Sequence, residues 1–228
     1  MRKTYRNLLA LFLYIPLIAF PQQESKKVNR DVVKKMVSDS NAATFYPKLL
    51  YKLKSPMPVL SAEEYYLLYY GFVFQESYHG YSNHRKSDIV KLMNEKKYAE
   101  AEAICDSVLE KIPVSLNANY LKGLCIYLRD PGNEMAIIYR SHYEGLRDAI
   151  LSSGDGKSCE TAFKTIYIPD EYDIMYRYFD IEGHKGQSLQ FPCDVFKIKG
   201  TKKFKGSKIY FDTSETFISM EKTLKKEK

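Results

Sequence analysis

Residues 154–158 read Gly-Asp-Gly-Lys-Ser, the glycine-lysine-hydroxyl composition that cradles phosphates in nucleotide-binding loops. Such a loop needs a further glycine five positions before Gly156, where this chain has Leu151. It also needs a strand before it and a helix after it, whereas here a helical pattern precedes and a β-like pattern follows. Gly154 and Gly156 therefore read as a helix C-cap, where glycine adopts positive φ. A second chemistry would join Ser152 or Ser153 with Asp155 and His184 as a hydrolase. The sequence holds no G-x-S-x-G elbow, and no acid can be assigned to orient His184. A third would pair carboxylates from Asp170, Glu171 and Asp173, although three acids at a helix start are equally what the helix dipole favours. No residue is assigned a catalytic role. The candidate binding set is Gly154, Asp155, Gly156, Glu171 and His184.

His79 and His84 lie five apart in the segment YHGYSNHR, with no third and fourth ligand nearby, so this reads as a solvated loop. Neither a metal nor a cofactor is expected. The four cysteines, 105, 125, 159 and 193, match no zinc spacing. Cys105 and Cys125 fall on apolar helix faces and read as buried thiols. If a disulfide forms, the pair is Cys159 and Cys193, which flank β-like segments.

The elements that would position these residues change character along the chain. Residues 31–37 and 45–53 read as short helices. Ser61-Ala-Glu-Glu64 is a capping box that starts a helix running to about Gln75, apolar nearly all round. Its tyrosines, Tyr65, Tyr66, Tyr69 and Tyr70, could line a sugar or peptide groove, or pack in the core with their hydroxyls at its edge. Residues 98–111, 116–128 and 134–151 follow as helices, stopped by Pro113, by Asp130-Pro-Gly132 and by Gly154. Tyr98, Ala101, Cys105, Val108 and Pro113 hold offsets that resemble a tetratricopeptide repeat, and Gly123 falls where the next repeat wants its glycine. Beyond Gly156 the period shortens: residues 162–168, 194–199 and 208–212 alternate as strands, and 171–179 reads as a short helix. The expected class is α+β, with helical hairpins over 24–153, a small antiparallel sheet within 154–220 packed on them, and a charged tail over 221–228.

A hydrophobic fraction of 45% is enough for a buried core. With 20 Tyr, 12 Phe and no Trp, many tyrosines must be half-buried with the hydroxyl reaching a partner. The net charge of +7 hints at nucleic acid, yet residues 24–198 sum to about −1 and only the two ends are basic. A nucleic-acid footprint needs basic residues gathered on a folded face, so none is expected. Arg2, Lys3 and Arg6 precede the uncharged run LLALFLYIPLIAF at 8–20, which at about 1.5 Å per residue is too short to span a membrane as a helix. Residues 1–23 read as an export signal. No cysteine precedes Cys105, so a periplasmic or secreted protein is expected rather than a lipoprotein.

Several segments are familiar. LSSGDGKSCETAF (151–163), DEYDIM (170–175), GQSL (186–189), CDVFKIKG (193–200) and IYFD (209–212) resemble an uncharacterised secreted bacterial family, domain of unknown function 4919. FYPKLLYKLK and EEYYLLYYGFVFQESY (45–54 and 63–78) resemble that family's first half. The resemblance implies export and this helix-then-strand order, and it brings no activity with it. The function expected from the helical half is a non-catalytic binding or interaction module for a protein, peptide or glycan of the cell envelope, because stacked helix pairs offer concave surfaces. The alternative is a hydrolase with an acidic and histidine site.

Overall fold

A computed structural model of the chain describes residues 28–57 and 59–226. The export-signal reading of residues 1–23 lies outside them. The described chain is helical first and mixed afterwards, an α+β fold. The helices are α1 (Arg30–Ser38), α2 (Tyr46–Leu53), α3 (Ala62–Gly71), α4 (Lys86–Asn94), α5 (Tyr98–Lys111), α6 (Leu116–Arg129) and α7 (Glu134–Leu151). Then come β1 (Phe163–Lys164), α8 (Ile168–Asp173) running into a π-helical turn over Ile174–Tyr178, β2 (His184–Gln190), β3 (Cys193–Ile198), β4 (Lys208–Asp212) and α9 (Ser214–Lys226).

Local chemistry sets these boundaries. Ser61 caps α3 by accepting from the Glu64 N–H at 3.2 Å, while Glu64 accepts from the Ser61 N–H at 2.8 Å, the reciprocal box read from the sequence. Asn29 and Ser115 cap α1 and α6 in the same way through one side-chain acceptor each. Successive helices from α4 to α7 pack against one another, and α3 packs against α1, α2 and α7. Gly123 makes the α6–α7 approach possible: a Cβ there would lie 3.2 Å from the Ala136 carbonyl oxygen.

The sheet order is β1-β4-β3-β2. β3 pairs antiparallel with both β2 and β4, as a small antiparallel sheet requires, and β1 joins β4 in parallel at the edge. Three elements differ from the sequence expectation. The strand expected over 162–168 shrinks to Phe163–Lys164, because Ile166 and Tyr167 turn into the core and Pro169 opens α8. β2 was not expected at all: HKGQSLQ is polar and almost wholly exposed, an edge strand held by backbone pairing on one side. The charged tail expected from residue 221 is the continuation of α9. Its first turns are buried, with Arg30 Nε donating to Glu215 at 3.0 Å and the Gly80 N–H to Ser219 Oγ at 2.9 Å.

One main core crosses both halves. Leu68, Tyr69, Phe72, Leu146 and Ile150 from the helices meet Phe163, Tyr167, Phe196 and Phe211 from the second half. A smaller cluster of Ile89, Ala101, Cys105, Leu121 and Cys125 fills the space between α4, α5 and α6. The tyrosines of α3 stitch the halves together. Tyr70 donates to the Lys164 carbonyl at 3.0 Å. Tyr69 donates to Asp170 Oδ2 at 2.7 Å and accepts from the Ile166 N–H at 3.1 Å. Tyr69 is fully buried rather than half-buried. Tyr69→Phe would unpair two groups in a dry interior, so a loss of about 2 kcal/mol is expected in urea unfolding. A loss below about 0.5 kcal/mol would show that neither bond contributes to stability.

Candidate functional site

The residues singled out by sequence occupy three separate environments. The turn after α7 is closed on itself. The N–H groups of Asp155 and Gly156 both donate to the Thr161 carbonyl, at 2.9 and 2.8 Å. Asp155 Oδ1 accepts from Thr161 Oγ1 at 2.6 Å and from the Lys157 N–H at 3.1 Å. Gly156 has φ +67° and sits under the Phe163 ring, where a Cβ would collide. The donors that a phosphate would need are spent inside the turn. His184 is exposed on β2, its Nδ1 3.0 Å from the Tyr176 hydroxyl and its ring edge-on to Phe196 at 5.1 Å. Glu171 is fully buried in α8, and neither carboxyl oxygen has a hydrogen-bond partner. Asp155, Glu171 and His184 share no hydrogen bond, and one of them has no access to solvent.

The histidine loop is also not what its polarity suggests. His79 is exposed, but His84 is buried, with Nδ1 2.9 Å from Ser115 Oγ and its ring 4.6 Å from that of Tyr167. Burial pushes its pKa down to about 4, so the ring is neutral at pH 7. Among the described residues no group of three or more His, Cys, Asp or Glu side chains is placed to hold a metal ion. Cys159 and Cys193 form a disulfide with a Cα separation of 5.9 Å. Cys105 and Cys125 are free and buried, and burial raises their pKa to about 12 and about 11, which leaves both as unreactive thiols.

Two features were only partly legible in the sequence. The first is the burial of four carboxyls, Asp170, Glu171, Asp173 and Asp194, of which Asp173 pairs with Arg177 and also feels the charge of Lys86. Arg177 pairs with Asp173, reaches Asn117 Oδ1 at 3.4 Å and lies 3.8 Å over the Tyr120 ring. Asp170, Glu171 and Asp194 have no salt-bridge partner among the described residues, so burial disfavours their charged forms. Burial pushes Glu171 well above the ordinary carboxylate range, and the charges of Asp194 and Asp170 add to the shift. Asp170 moves the same way through burial, with the Tyr69 hydroxyl opposing and Asp173 adding. Asp173 is raised by burial against the pull of Arg177. None of the four lines either of the two larger surface clefts.

The second feature is the larger of those clefts, about 940 Å³, between α1, α3 and α7. Tyr65, Tyr66 and Tyr178 supply its rings, and Glu63, Asp148, Asn29 and Ser152 its polar groups. Gly145 sets its depth, because without a Cβ the Tyr65 ring rests directly on α7. Tyr65 is then locked by a 3.0 Å hydrogen bond between its hydroxyl and His142 Nδ1. These residues come from segments far apart in the chain. Of the four tyrosines that the sequence offers for a groove, Tyr65 and Tyr66 line the cleft, whereas Tyr69 and Tyr70 are buried in the core.

The molecule is thus an α+β domain with a helical cleft on one side and a closed acidic interior beneath its π-helical turn. Residues 31–222 match the family described as Domain of unknown function (DUF4919), and the chain belongs to that family. Neither a curated protein nor a solved structure gave a match. Among the described residues no helix is long and apolar enough to cross a membrane.

Proposed function

We propose that this chain is an exported, non-catalytic binding module that takes its ligand in the α1–α3–α7 cleft. The cleft carries the reading: about 940 Å³ lies at the upper end of the range of about 300–1,000 Å³ typical of small-ligand sites, and it combines aromatic walls with a few polar groups. Export is supported by the basic-then-apolar pattern of residues 1–23 and by the Cys159–Cys193 bridge, since disulfides persist in oxidising compartments. The helical half supports an interaction role. Ala101 is fully buried at the repeat position noted above, and Gly123 sits at a close helix approach, as in tetratricopeptide-like pairing. The hydrolase alternative has no comparable support, because Asp155, Glu171 and His184 do not assemble.

Thermal-shift screening against saccharides, peptides and peptidoglycan fragments tests this reading. A ligand at 100 times its Kd adds about 2.7 kcal/mol to the native state and must raise the melting temperature. The expected result is such a rise, reduced by Tyr66→Ala. A rise that Tyr66→Ala leaves intact would place the ligand elsewhere, and a panel without any shift would count against a binding role.

A further inference from the structure

We infer that the α1–α3–α7 cleft is a site for a neutral oligosaccharide; this rests on the binding-module reading and specifies its ligand. The charged groups lining the cleft, Glu63 and Asp148, are both acidic, with no lysine or arginine among the lining residues. Asp148 is already paired with Arg147 at 2.8 Å, so the carboxylate that chiefly repels an anionic ligand is Glu63, which disfavours phosphates, nucleotides and acidic peptides. A cationic ligand meets a different obstacle. The Tyr178 ring already carries the Arg147 guanidinium at 5.0 Å and the Lys203 ammonium at 5.9 Å, so a further cation over it would face like charge.

What fits is an uncharged molecule with flat apolar faces and many hydrogen-bond donors. A pyranose offers both. Its C–H face stacks on an aromatic ring, and its hydroxyls donate to carboxylates, with Glu63 and Asp148 as acceptors. The platform is held rigid before any ligand arrives. The Tyr66 ring packs edge-to-face on Tyr70 at 4.8 Å and 61°, and Tyr70 is itself anchored to the Lys164 carbonyl. A pre-ordered ring costs little entropy on binding. The volume admits more than one sugar ring, so an oligosaccharide rather than a monosaccharide is the natural occupant.

The test is calorimetric titration of the whole chain with five neutral pentasaccharides, those of cellulose, amylose, xylan, mannan and chitin, alongside a lysine-rich peptide. At least one pentasaccharide is expected to bind. Tyr66→Ala should weaken it tenfold or more, and Glu63→Gln severalfold, with the circular dichroism spectrum unchanged. Glu63 is exposed, so Glu63→Gln keeps the test decisive even if Tyr66→Ala disturbs the fold. Saccharide binding that both variants leave intact would overturn the assignment to this cleft. If the peptide binds, loses affinity in Tyr66→Ala, and no saccharide binds, the oligosaccharide proposal falls while the binding module stands. If nothing binds, both fall.

Discussion

Glu171→Gln is expected to stabilise the protein, and by more as the pH rises. Glu171 is fully buried with both carboxyl oxygens unpartnered, and Asp194 and Asp170 are the charges that face it. Its pKa in the folded state therefore lies well above the unfolded value of about 4.3. The sign follows from linkage. The folded state binds a proton that the unfolded state has released, so the group's favourable contribution is complete below the unfolded pKa and is lost as pH rises towards the folded one. Across that window each pH unit costs the wild-type protein about 1.4 kcal/mol at this single position. Glutamine keeps the shape and carries no titrating proton. Urea unfolding of both proteins from pH 5 to pH 8 should show the two stabilities diverging, with the variant pulling ahead. Parallel curves would mean that Glu171 is solvated or paired in solution.

Removing the disulfide should cost about as much. Cys159 and Cys193 are 34 residues apart, and closing a loop of that length in the unfolded chain is worth about 3–4 kcal/mol by chain entropy. The bridge ties the turn after α7 to the start of β3, the strand that pairs on both sides in the sheet. Cys159→Ala/Cys193→Ala should melt about 10 °C below the wild type. Reductant should lower the wild type towards the variant and leave the variant unmoved. An unchanged melting temperature in the double variant would show that the loop is already constrained by other contacts.

The sequence carried the local features well, because each depends on neighbours in the chain. The Ser61–Glu64 box, the stop at Pro113, and the alternation of 194–199 and 208–212 correspond to elements found, whereas α7 is capped at Ser152 in the right-handed region and, of the two glycines read as its cap, Gly156 alone takes positive φ. What it did not carry depends on distant partners. β2 is a strand because β3 lies beside it, and its own residues have no β preference. α9 reads as a charged tail because residues 221–228 are rich in lysine and glutamate, while the burial of Glu215 and Ser219 depends on α1 and the loop at Gly80. The acids of α8 looked like surface residues favoured by a helix dipole. Their burial arises because the helical half and the sheet close over them, an event without a local signature. The cleft was half legible: the tyrosines of α3 stood out by composition, but Asp148 and Tyr178 join them only after α7 and the π-helical turn have docked.

The salt bridge between Arg30 and Glu215 spans 185 residues. Contacts of such long range are the slowest to form, because so much chain must be ordered before they are rewarded. A polypeptide made from its N-terminus must therefore hold α1 without its α9 counterpart until nearly the whole domain has been synthesised. Native closure at α1 therefore waits until α9, 185 residues further along, has been made.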